Sequence, residues 1–142
     1  MNHAERNKFN LAQGITFSLP KKEVLRGETS FNRLFQHGKS MHGKVSSIRF
    51  LLYKDEAPHK LMSFIVKKKM GNAVLRNRLK RLLREVYRHH KMMLDSVLAQ
   101  GYSIEAAFMV SKPSAGITAL NQDYETMIQR IVQIVDQNST NE

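Results

Sequence analysis

The chain of 142 residues contains no cysteine. That excludes disulfides, thiolate nucleophiles and cysteine-ligated zinc or iron–sulfur sites. Acidic side chains are scarce, 12 against 23 lysines and arginines, and Glu23, Glu28, Asp55 and Glu56 form no cluster suited to a two-metal nuclease. The histidines at 3, 37, 42, 59, 89 and 90 show no metal-ligand spacing. No apolar run reaches the roughly 18 residues of a membrane span, and residues 1–20 lack the apolar stretch of a secretory signal, so the expected location is the cytoplasm, with no membrane partner. There is no internal repeat and no low-complexity segment.

What remains is a formal charge of +11 on a chain that is 42% hydrophobic. The apolar content suffices for one modest core, and the charge gains nothing for a lone fold, because like charges repel. A polyanionic partner is the natural reason for it. The excess is local: residues 67–91 hold ten basic side chains and one acidic, whereas residues 92–142 hold two and six. A solubility device would be scattered; a clustered run reads as a binding stripe.

Apolar residues at 31, 34 and 35, closed by Gly38, predict a short amphipathic helix from Glu28. Val45–Tyr53 and Leu61–Lys67 read as strands, and the turn residues between them suggest a β-hairpin. Asn72 is placed to cap a helix with Leu75, Leu79, Leu82, Leu83 and Val86 on one face and Arg76, Lys80, Arg84, Arg88 and Lys91 on the other. Tyr102–Val110 alternates like a strand, and a final helix over about 118–136 buries Leu120, Tyr124, Met127, Ile128, Ile131, Val132 and Val135. With one possible further short strand, the order α-β-β-(β)-α-β-α predicts an α+β sandwich: a single domain of helices on a small mixed sheet, residues 20–137. An N-terminal arm, 1–19, and a tail, 138–142, flank it.

Within the basic window, Gly71 allows close backbone approach, a helix start offers free N–H groups, and Lys67, Lys68 and Lys69 stand beside it. Arginines along the helix can grip phosphate oxygens in a bidentate manner, and Asn77 can bond base edges or 2′-hydroxyls. With Glu85 alone to offset the run, intrahelical ion pairing is not its purpose.

The stretch Val66–Arg88, centred on Arg76-Asn77-Arg78 and flanked by Lys68-Lys69-Met70-Gly71-Asn72-Ala73-Val74 and Leu79-Lys80-Arg81-Leu82-Leu83-Arg84, resembles the protein subunit of bacterial ribonuclease P. Leu25-Arg26, Phe31-Asn32-Arg33-Leu34-Phe35-Gln36-His37-Gly38-Lys39-Ser40 and, more weakly, Val110-Ser111-Lys112-Pro113 extend the resemblance over about residues 20–135. It implies an α+β sandwich like the second domain of a small-subunit ribosomal protein, with a left-handed β-α-β crossover that general rules would not predict. It also implies a partner, the catalytic RNA subunit of ribonuclease P. That RNA, holding the Mg2+ ions, hydrolyses the bond that releases the 5′ leader of precursor tRNA.

The resemblance leaves this chain no catalytic residues and picks out no metal-ligating residue in it; Mg2+ is expected to be held mainly by the RNA subunit, and no organic cofactor or obligate protein partner is expected. Lys68, Lys69, Asn72, Arg76, Asn77, Arg78, Lys80, Arg81, Arg84 and Arg88 would face RNA. Phe31, Phe35 and Tyr53 would bind the leader by stacking, although Phe31 and Phe35 at i, i+4 also suit a plain core. Ser111 stands where the family often has arginine, and Lys67 where it has a small residue. A structural ribosomal or general RNA-binding protein explains the charge equally well but not the phenylalanine pair. A DNA-binding regulator lacks a tight helix-turn-helix before residue 72.

Overall fold

The sheet is organised around Tyr102–Val110, in which all residues but Met109 are buried, so that neither of its faces can meet water. In a computed structural model that describes residues 23–25 and 27–140, this strand lies inside a four-stranded mixed sheet. The elements are α1 (Glu28–His37), β1 (Lys39–His42), β2 (Ser46–Lys54), β3 (Lys60–Ile65), α2 (Ala73–His90), α3 (Asp95–Ala99), β4 (Tyr102–Val110) and α4 (Ile117–Thr140). Short 3-10 turns, Lys68–Met70 and Lys91–Leu94, flank α2. The proposed N-terminal arm, 1–19, lies outside the described residues, and α4 runs to Thr140, past the expected helix end.

The spatial order β1-β2-β4-β3 corrects the expected hairpin. β2 and β3 exist but do not pair; β4 sits between them, antiparallel to β2 and parallel to β3. The reason is burial: a strand apolar on both faces belongs in the middle, where both edges find partners and both faces find cover. The turn residues at 55–59 instead arch over the start of β4. Asp55 N–H donates to Gly101 O at 3.0 Å, His59 N–H to Ser103 Oγ at 2.9 Å, and Ser103 Oγ–H to Asp55 Oδ2 at 2.8 Å. The possible extra strand is β1, paired antiparallel to β2 with Lys39 opposite Phe50.

Alternation along the strands divides the core. Ile48, Phe50, Met62, Ile104, Ala106 and Phe108 join a large cluster with α2, α3 and α4, while Ala107, Leu51, Leu61 and Ile65 meet Leu34 and Phe31 of α1 on the other face. Among the described residues, one short helix thus covers one face and three cover the other. The expected stripes of α2 and α4 are buried or half-buried as read, with Tyr87 added to the first.

One buried carboxylate joins the layers. Asp123 of α4 is 6% exposed and accepts Lys44 N–H and Val45 N–H, both at 2.9 Å, and Ser46 Oγ–H at 2.7 Å, so it holds the β1–β2 turn onto the helix. At Gly43 any Cβ would lie 2.3 Å from its carboxyl carbon, which is why the turn carries glycine there. Burial pushes the Asp123 carboxyl up, but the Ser46 hydroxyl and the N–H groups of Val45, Lys44 and Ser46 outweigh it and hold it below the usual range. The native state therefore favours the ionised form: the stabilisation is present at neutral pH and lost as pH falls through the lowered native value. Asp123→Asn should cost about 1–3 kcal/mol at pH 7, by denaturant unfolding. The gap from wild type should narrow below about pH 4; an equal gap at both pH values would mean that the charge is not the stabilising element.

Candidate nucleic-acid interface

The basic surface is built from its dry side outward. Val66 and Met70 are buried and anchor the segment that carries Lys67, Lys68 and Lys69, all exposed. Gly71, at φ +148°, turns the chain from the 3-10 segment into α2. This is a conformation that side chains rarely adopt, so the glycine is required by the backbone as well as suited to a ligand. Asn72 Oδ1 accepts Leu75 N–H at 2.9 Å, the cap read from sequence.

With Leu79, Leu83, Val86 and Tyr87 buried, Asn72, Asn77, Arg78, Arg81 and Arg84 stand exposed, and Arg76 and Lys80 are half-buried. Two expected members of the exposed face depart from this pattern: Lys91 lies past the end of α2, in the 3-10 turn, and is buried, and Arg88 is drawn inward. Its side chain is 18% exposed and pairs with Glu85, which also meets His89 Nε2 at 2.9 Å. Burial raises the Glu85 carboxyl, but bonds to His89 and Arg88 outweigh it and keep it below the usual range. The single acidic group of the window is thus taken at the C-terminal end of α2. Among the described residues, none of the cations from Lys68 to Arg84 has a carboxylate partner.

A second surface lies on the opposite face of the sheet, under α1. The rings of Phe31 and Phe35 stack with centroids 6.5 Å apart and planes at 17°. Phe31 is half-buried against the small cluster below it, so the core reading holds in part for that residue. Phe35 is 42% exposed and offers an open ring. Tyr53 stands half-buried on β2.

Three charged residues that sequence reading did not assign to a site tie these rings together. Arg33 of α1 donates to both carboxylate oxygens of Glu105, at 2.6 and 2.5 Å, and its guanidinium carbon lies 5.9 Å from the Tyr53 ring centre. Glu105 is 1% exposed in β4. Arg49 donates from Nε to Leu34 O at 3.2 Å and from Nη2 to Phe35 O at 2.6 Å, and lies 6.0 Å from the Phe35 ring centre. It satisfies the last carbonyls of α1 and fixes that helix on the sheet. The signal for Arg49 and Glu105 was each being the lone charge within an otherwise apolar strand segment, on the same side as Leu51 and Ala107.

Burial, followed by the influence of the nearby Glu105 carboxylate, pushes the Tyr53 hydroxyl up to about 12, so it stays protonated, and it lies 3.2 Å from His59 Nε2. Cations laid over half-open aromatic rings form a surface suited to unpaired bases and their phosphates. Among the described residues, no group of three or more histidine, aspartate or glutamate side chains is placed to hold a metal ion, and no helix is long and apolar enough to cross a membrane.

The family model described as ribonuclease P matches residues 19–135. The ribonuclease P protein component of Dictyoglomus turgidum is 34% identical over 122 residues, 85% of this chain and 92% of that protein. That of Clostridioides difficile is 29% identical over 106 residues, 75% of this chain and 89% of its relative. Among solved structures, the RNase P protein of Thermotoga maritima superimposes with a TM-score of 0.61 at 23% identity, covering 76% of this chain and 96% of that one. The Staphylococcus aureus RNase P protein gives 0.59 at 20% identity, covering 81% and 99%.

The coupling of Glu105 to Tyr53 can be read directly. Glu105→Gln should lower the Tyr53 pKa from about 12 toward the ordinary tyrosine value, in a spectrophotometric titration with Tyr53→Phe identifying the transition. An unmoved transition would show that burial alone sets it.

Proposed function

Because the chain belongs to the ribonuclease P protein family, and is thereby the protein subunit of a ribonucleoprotein endonuclease of tRNA 5′ processing, we propose how its two surfaces divide that work. The exposed cations of the Lys67–Lys69 segment and α2 bind the catalytic RNA subunit, neutralising phosphates while Asn77 offers an amide to bases or 2′-hydroxyls. The cleft under α1 holds the single-stranded 5′ leader of precursor tRNA, with bases stacked on Phe35, Phe31 and Tyr53. Scission belongs to the RNA and its Mg2+ ions: the residues of both surfaces are mainly cations, amides and aromatic rings, which attract phosphates and bases rather than metals. The reaction takes place in the cytoplasm, where precursor tRNA is made.

One observation carries the leader assignment. Phe35 is stacked on its neighbour yet 42% exposed, with the Arg49 guanidinium carbon 6.0 Å from its ring centre. A plain core residue would be buried, and a general RNA-binding role for α2 would give no reason for an open aromatic step on the opposite face. Because the two surfaces lie on opposite faces of one sheet, the protein can hold the catalytic RNA and the leader at the same time.

Two measurements test this division. Phe35→Ala should reduce the preference of the assembled holoenzyme for precursor over mature tRNA by about 5- to 150-fold, the equivalent of about 1–3 kcal/mol for one lost stack. The melting temperature should stay near wild type; a collapse in melting with preference intact would return Phe35 to the core. Arg76→Ala combined with Arg78→Ala should weaken binding to the catalytic RNA and flatten its salt dependence by about one to two units of log–log slope. A slope equal to wild type would refute phosphate contact by these arginines.

A further inference from the structure

The topology gathers cations from separate parts of the sequence at one end of the sheet. Ser46 pairs with Val110 and Ile65 with Met109, so the start of β2 and the ends of β4 and β3 lie side by side. Ser111 N–H donates to Val45 O at 2.8 Å and ties the first two together. Lys44, Lys112 and Lys67 to Lys69 therefore leave the sheet at the same end, although 68 residues separate Lys44 from Lys112.

Beside Lys44, the β1–β2 turn and α4 enclose a groove of about 390 Å³, lined by His42, Lys44, Gln122, Asp123, Thr126 and Arg130 among others. Lys44, His42 and Arg130 are exposed, and among the described residues neither Lys44, Lys112 nor Arg130 has an ion-pair partner. Among the described residues that line the groove, the one carboxylate, Asp123, is already engaged by two backbone N–H groups and the Ser46 hydroxyl. The turn that presents Lys44 is thus held rigidly by the same residue, which lowers the ordering cost of a contact made there.

We infer that this groove is a second seat for RNA backbone, in which Lys44 and Arg130 take phosphates of the catalytic RNA subunit and Gln122 adds an amide donor. The inference rests on the ribonuclease P reading and extends it to a surface outside the Val66–Arg88 motif. Charge selects a polyanion. Position selects the catalytic RNA over the leader, because α4 packs on the α2 face of the sheet and the aromatic cleft occupies the other.

The test uses the full chain with the catalytic RNA. Lys44→Ala with Arg130→Ala should flatten the salt dependence of binding by about 1.4 to 1.8 units, two phosphates' worth, while the ratio of precursor to mature tRNA affinity stays at the wild-type value. Thr126→Glu, which adds a carboxylate to an exposed helix position in the groove, should weaken binding as well, with wild-type melting confirming its fold. Wild-type slopes and affinities in both folded variants would overturn the second seat and leave the function standing. A change in the precursor-to-mature ratio at an unchanged RNA-subunit slope would overturn it too, by assigning the groove to the substrate. If the wild-type protein itself fails to bind the RNA, the functional reading fails with it.

Discussion

The rest of the molecule depends on a strand that must be hidden on both sides. β4 is buried almost throughout, so it takes the position between β2 and β3 and needs helices over each face. Chain order then fixes the remainder. β3 returns to β4 in parallel only through a crossover, which is α2, and the layer against which α2 buries its leucines is the layer that turns its arginines outward. The exposed basic face is a by-product of covering the central strand.

The few polar groups on that strand work as fasteners. Ser103 secures the loop over the start of β4, and Glu105, two residues on and on the same face, holds Arg33 of α1. Arg49 on β2 does the same for the end of α1. A ten-residue helix has little helical stability of its own, so these ties and the small cluster under Leu34 decide where its phenylalanines stand. Fastening and aromatic contact are joined here, since the guanidinium groups that hold α1 also lie against the rings of Phe35 and Tyr53.

Helices were legible because their evidence is local. The cap at Asn72, the leucine spacing after it and the Gly38 stop appear in the structure where the residues put them. The strands were legible as segments, but their pairing was not: the turn residues at 55–59 suit a hairpin, and nothing nearby reveals that a strand over forty residues later displaces the neighbour. Glu105 was passed over for a related reason, since a lone carboxylate in a strand acquires meaning only when Arg33, 72 residues away, is placed above it. Arg88 looked like its fellows on the helix and differs because Glu85 takes its charge.

By itself the sequence determined the family, the basic face of α2 and the residues that cap and bury that helix, because all of these follow from spacing within a few turns of chain. Tertiary structure alone decided the strand order, the opposite placement of the aromatic cleft and the meeting of Lys44 with Arg130 at one groove. The physical reason is that such contacts depend on which surfaces must be hidden together, a condition set by the whole chain at once.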